Sequence, residues 1–381
     1  MNFAQPGLLE NPYPFYQQWR EDQPIWWAED INAWVLSRHA DVRSVLKNAE
    51  LFSSKSLGEM EHQAFSFPLL TDDPPRHTQL RSIVSKAFTT RTLKQMEKQV
   101  EELVDDLLDD MAGQATVDIA AALTIPLPVS LIARLMGIPE ENKEDFKRWS
   151  DAMVSTGEAV EIKDRMPDMM EMAGYFQSLI ADRRANPGDD LVSQVVNAEV
   201  DGEGMNDQDI VGFCMLLLVA GNETTSNLLS NLFDYLASDP DTWNALRNNP
   251  DKIDAAVEEA LRFDAPVQWV NRKATADTEF HGQKIKQGEV VYVLMGSANH
   301  DPAHYDNPGK FDLNRQQSDH HSFGYGIHFC IGAPFARMEA RYALRGFLKR
   351  YQSIAPAATG KNERTYSNML RGYHHLWLDL E

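Results

Sequence analysis

Apolar residues recur at helical spacing over most of the chain and alternate over only a few short runs, so helices are predicted to dominate. Helical stretches are predicted over 13–20, 41–47, 93–111, 128–136 and 142–153, and from Pro250 to the stop at Pro266. Strand-like pieces fall at 24–27, 33–36, 280–285 and 290–294. The longest periodic run is 207–238, where Asn206 and Asp209 read as a capped start. At 1.5 Å per residue it would span roughly 45–50 Å. Midway it carries Ala220-Gly221-Asn222-Glu223-Thr224-Thr225. An interior Gly costs about 1 kcal/mol relative to Ala. Adjacent β-branched threonines add to that, and a Thr hydroxyl can bond the carbonyl four residues back. Such a set inside an otherwise apolar helix predicts a local distortion kept for function.

A second irregular pattern runs Phe323-Gly324-Tyr325-Gly326-Ile327-His328-Phe329-Cys330-Ile331-Gly332-Ala333-Pro334. Glycines permit a tight turn here, and Pro334 opens a helical pattern through Phe335, Met338, Tyr342 and Phe347. A cysteine at a helix N-terminus faces unpaired N–H groups, which favours its thiolate. With no His or Cys at zinc spacing, Cys330 is a poor zinc ligand and a good single axial ligand for haem iron. The chain has only one other cysteine, Cys214, which reads as a core thiol. Residues 53–75 form a long irregular stretch, of the kind that serves as a lid or binding loop. His77 and Arg81 follow, four apart on one helix face. By spacing alone that pair, like Glu259 with Arg262, reads as ordinary surface pairing.

Composition narrows the function. The 381 residues are 43% hydrophobic and 24% charged, as in an ordinary globular protein. A net charge of −21 argues against nucleic acid and anionic membrane surfaces. Two cysteines fit a reducing cytoplasm, and the Pro-interrupted N-terminus reads as neither signal peptide nor membrane anchor.

The run from Phe323 to Gly332 resembles the haem-binding signature F-x-x-G-x-x-x-C-x-G of the cytochrome P450 superfamily, in its soluble bacterial form. The resemblance implies a mainly α fold with a smaller β-rich lobe, formed by about 24–37 and 267–296, in one domain over 1–381. It implies haem b with Cys330 as thiolate ligand, cradled by Phe323, Gly324, Gly332, Ala220 and Gly221. His77, Arg81, Arg272 and His328 would reach the propionates. Ala220 to Thr225 resembles the A-G-x-D/E-T-T oxygen-binding element, with Thr224 donating a hydrogen bond during oxygen activation and Glu223 delivering protons. Glu259-Ala260-Leu261-Arg262 resembles the structural E-x-x-R pair. Its third member is unsettled, because His300 and Lys310 stand where Arg is frequent, and Arg315 is the candidate.

The implied activity is monooxygenation using O2 and electrons from a separate ferredoxin or flavodoxin with its reductase. The chain ends about fifty residues after Cys330, so no fused reductase is expected. Arg337, Arg341, Arg345 and Lys349 recur every fourth residue as a cationic stripe where such a donor could dock. A solvated helix face explains the stripe equally well. Candidate pocket residues are Phe65, Phe67, Leu69, Leu70, Leu216, Leu217, Val219, Val267 and Val270, almost all apolar, which predicts a lipophilic substrate such as a fatty acid, terpenoid, steroid or macrolide-like compound. The resemblance puts Met153, Met166, Met169, Met170 and Met172 in mobile lid helices, and ordinary core packing explains them nearly as well. Two alternatives are a hydrogen-peroxide-driven peroxygenase, which would not need Glu223 and Thr224, and a haem-based ligand sensor or carrier.

Overall fold

A computed structural model describes residues 2–55, 67–154, 162–200, 202–316 and 319–381. Helices dominate it. The longest, Asp207–Ser238, is capped by the Asn206 side chain, which accepts from the Asp209 N–H. It takes part in two separate apolar cores. Its N-terminal half packs Ile210, Phe213, Met215 and Leu218 against the helices Arg76–Ser85, Pro126–Met136 and Ile162–Ala185. Its C-terminal half packs Leu228, Leu229, Leu232, Phe233 and Leu236 against Thr90–Asp110, Ile253–Phe263 and Ala333–Arg350. Residues 219–227 belong to neither core. The hydrophobic stripe is thus broken over 219–227, where Asn222, Glu223, Thr225, Ser226 and Asn227 are buried polar residues.

The main sheet has five strands in the order Ile25–Ala28, Ala33–Leu36, Val290–Val293, Val270–Ala274, Phe52–Ser53. All neighbours are antiparallel except Ala33–Leu36 with Val290–Val293, which run parallel with Val291 opposite Trp34. A second sheet joins Ile354–Pro356, Trp377–Leu380 and Thr116–Asp118. One predicted strand is corrected. Residues 280–285 are a hairpin, Thr278–Phe280 against Gln283–Ile285, because His281 (φ 50°) and Gly282 (φ 79°) make a left-handed turn between them. Among the described residues no helix is long and apolar enough to cross a membrane. Of the predicted lid methionines, Met172 is fully buried core and Met170 is exposed, and the side chain of Met153 lies outside what the structure describes.

Candidate active site

The cysteine loop closes on itself when Cys330 N–H donates to the Phe323 carbonyl at 2.9 Å. Gly324 (φ 71°) and Gly326 (φ 76°) hold left-handed conformations, and a Cβ at Gly326 would stand 2.6 Å from the Leu46 carbonyl oxygen. That close approach seats the loop on the helix His39–Lys47. Cys330 remains solvent-accessible although protein atoms crowd it, as expected of a group facing an internal space. The N–H groups of its helix N-terminus favour the thiolate as expected, but burial outweighs them. Burial raises the thiol pKa above its ordinary value, and the N–H groups of Gly332 and Ala333 with Arg81 and Arg337 offset that only in part. Bound iron must complete the ionisation, as metals do for coordinating thiols.

Around this loop lie cationic and N–H groups short of partners. Arg272 is buried, donates to the carbonyl of Asn271, and has its pKa lowered to about 10 by burial. Arg81 donates to the Phe329 carbonyl at 2.6 Å. Among the described residues no carboxylate forms an ion pair with either. Both ring nitrogens of His77 are buried without a partner, and its pKa is lowered by burial and then by Arg81. Two guanidiniums and an unsatisfied imidazole are an unfavourable arrangement alone, and one that suits a group bearing two carboxylates. The residues present therefore fit a haem. His328 is less available. Its Nε2 pairs with Ser54 Oγ at 2.9 Å and its Nδ1 with the Leu69 carbonyl at 3.1 Å, so a propionate contact requires Ser54 to yield.

On the long helix, Thr224 donates to the Ala220 carbonyl at 2.6 Å. The helix runs unbroken through the motif, so the expected distortion is confined to this side-chain capture of a carbonyl. Ala220 is exposed and Gly221 and Thr224 half-buried, whereas Glu223 is buried. At Gly221 a Cβ would meet Ile132 Cδ1 at 2.7 Å, so the glycine is a packing requirement. Burial raises the Glu223 pKa to about 8. A second such acid escaped sequence reasoning. Glu339 is buried in the helix after Cys330, its Oε2 has no partner, and burial raises its pKa to about 8 as well. It lines a cavity of about 70 Å³ together with Leu217, Gly221, Thr225, Gly332 and Phe335. The only signal in the sequence was an acid at a position where Ala340, Ala343 and Phe347 mark the buried face.

The Glu259 carboxylate accepts two bonds from Arg262 at 2.8 Å and, through both oxygens, one from Arg315 Nε at 3.0 Å. The Asp312 N–H adds a fourth donor. Lys310 serves this network through its backbone carbonyl, which accepts from Arg262 and Arg315, so the side chain at 310 is immaterial to it. His300 instead meets the Phe263 carbonyl at 2.8 Å.

The candidate pocket residues divide between two apolar cores. Phe67, Leu69 and Leu217 pack on the N-terminal core, whereas Val267 and Val270 pack on the sheet with Tyr325. Leu216 and Val219 are half-buried and Leu70 is exposed. Phe65 lies outside the described residues. The cationic stripe is partly spent: Arg337 is bidentate to Glu258 and Arg341 lies 3.6 Å from Asp254, leaving Arg345 and Lys349 exposed.

Comparison with known proteins agrees with this geometry. The family model "Cytochrome P450" matches residues 15–371. The putative cytochrome P450 YjiB of Bacillus subtilis is 40% identical over 90% of this chain and 87% of its own length. The erythromycin C-12 hydroxylase of Saccharopolyspora erythraea is 36% identical, covering 94% of this chain and 91% of its own. The crystal structure of CYP109E1 from Bacillus megaterium in complex with corticosterone superimposes with a TM-score of 0.90 at 34% identity, over 97% of this chain and 98% of that one. With the cysteine loop, the guanidiniums around it that lack an ion pair among the described residues, and these likenesses together, the chain belongs to the cytochrome P450 family, the monooxygenases that bind haem b through a cysteine thiolate, here Cys330.

Proposed function

We propose that this protein, acting as one domain, hydroxylates an uncharged lipophilic small molecule of steroid, terpenoid, fatty-acyl or macrolide type, with electrons from a separate donor. The haem, when bound through Cys330, supplies oxygen activation and C–H hydroxylation. The chain's own residues bind, orient and move protons. Arg272, Arg81 and His77 anchor the propionates. Glu223, neutral at pH 7 because its raised pKa is about 8, is the proton donor. Thr224 gives up its bond to the Ala220 carbonyl to pass that proton on.

The observation that carries this reading is a buried acid with no hydrogen-bond partner among the described residues, its pKa raised by burial, next to a hydroxyl that donates to its own helix. A peroxygenase has no use for that pair, and a sensor none for a proton donor. Support for the substrate class comes from the apolar character of Phe67, Leu69, Leu216 and Val219, and from the corticosterone bound by the similar Bacillus megaterium protein. Screening such compounds for spin-state shifts of the ferric haem, then measuring product with a ferredoxin couple, tests it. Product requiring both reductant and O2 is expected. Equal product from hydrogen peroxide alone would favour the peroxygenase.

A further inference from the structure

Three histidines and an aspartate meet where the helix His39–Lys47, the turn at 301–305 and the segment entering the cysteine loop come together. The rings of His39 and His304 stack with centroids 3.6 Å apart and planes 9° from parallel, and His321 packs on His39 at 4.4 Å. His304 Nε2 lies 2.8 Å from Asp319 Oδ1, while Arg43 holds the other oxygen at 3.1 Å. His39 is 4% exposed, and its Nε2 has no partner. One donor atom from each of His39, His304 and Asp319 lies within 4.8 Å of the other two.

We propose that His39, His304 and Asp319 form a binding site for a zinc-type divalent transition metal, separate from the haem, with Arg43 orienting the carboxylate from outside. Ring packing accounts for the stack and the His304–Asp319 bond. It leaves a fully buried imidazole nitrogen unsatisfied, which costs free energy that a metal bond would recover. Two imidazoles and one carboxylate are a donor set for zinc, nickel or copper, whereas magnesium and calcium take oxygen ligands.

The geometry sets what must move. Tetrahedral ligands about 2.1 Å from zinc stand roughly 3.4 Å apart, so the 2.8 Å gap between His304 and Asp319 must open slightly. Both side chains have the freedom to do so, being 30% and 47% exposed. Parallel rings cannot both aim at one ion, so His39 or His304 must turn about χ2, a broad torsion for histidine. The metal then replaces the hydrogen bond between His304 Nε2 and Asp319, and the neutral ring carries its one proton on Nδ1. Such an ion ties residues 39, 304 and 319 together directly before the loop that holds Cys330.

The test is isothermal titration of chelator-treated holoenzyme with zinc chloride at neutral pH, with magnesium chloride alongside. One zinc per chain is expected, with no matching magnesium heat. Asp319→Asn and His304→Ala should weaken zinc binding on the order of tenfold or more, and Arg43→Ala by about 10–100-fold as outer partners do. His281→Ala, which removes the partly buried pair with Asp41, should leave it unchanged. If His304→Ala does not fold, the near-isosteric and exposed Asp319→Asn decides alone. No saturable zinc binding, equal binding of magnesium, or undiminished affinity in Asp319→Asn would overturn the proposal.

Discussion

Two buried glutamates, 36 residues apart, have opposite surroundings. Glu259 sits among four hydrogen bonds from two guanidiniums and a backbone N–H. Glu223 is also buried, yet burial is the one influence on its ionisation, and its pKa rises to about 8. The same side chain is a fixed strut where donors surround it and a proton store where none do. Solvation and partners, not residue type, assign the role.

Breaking the strut should have the largest effect. Removing one partner of a buried pair costs about 3–5 kcal/mol, so Arg262→Ala should lower the denaturant midpoint steeply and release haem. Arg315→Ala should cost less, because Arg262 keeps its two bonds to Glu259.

At the proton store, Glu223→Gln should leave the fold and the substrate-induced spin shift intact while slowing product formation. The expected loss is about 10²-fold, the lower end for general acid–base groups. Because the acid form is the donor, wild-type turnover should fall as pH rises through about 8. A flat profile through that range, or undiminished turnover in Glu223→Gln, would remove Glu223 from proton delivery.

Arg272→Gln should weaken haem retention by about 1.5–3 kcal/mol, the worth of a hydrogen bond to a charged group. Transfer of haem to apomyoglobin would read this, with wild-type retention in the variant contradicting the propionate role.

Glu339 should give the smallest effect, and its sign depends on pH. Its folded pKa, about 8, lies above the ordinary 4.5. The folded state therefore binds the extra proton between those values, and this contribution to stability fades as pH rises from about 4.5 through 8. Glu339→Gln should match wild type near pH 5 and exceed it in thermal stability near pH 9. A constant difference across that range would mean that the carboxyl has a partner.

The comparison also explains what the sequence disclosed. Cys330, Thr224, Arg262 and their neighbours lie in short ordered motifs, since a loop, one helical turn and an i,i+3 pair each bring local residues together. Glu339 and Arg315 depend on distant segments. Glu339 is buried by residues of the long helix more than a hundred positions earlier. Arg315 reaches Glu259 across 56 residues. The three-stranded sheet pairs Trp377–Leu380 with Thr116–Asp118 across an even longer span, which no local pattern encodes. The turn at His281 was missed because non-glycine residues seldom adopt positive φ, although histidine does so more often than most. At Cys330 the helix N-terminus was legible in sequence, whereas the burial that opposes it was not.

The most direct test of the account is the absorption spectrum of dithionite-reduced protein under carbon monoxide. A red-shifted, thiolate-type band is predicted in the wild type and in Glu223→Gln, and its loss in Cys330→Ala. A histidine-type band in the wild type, or a thiolate-type band that survives in Cys330→Ala, would contradict it.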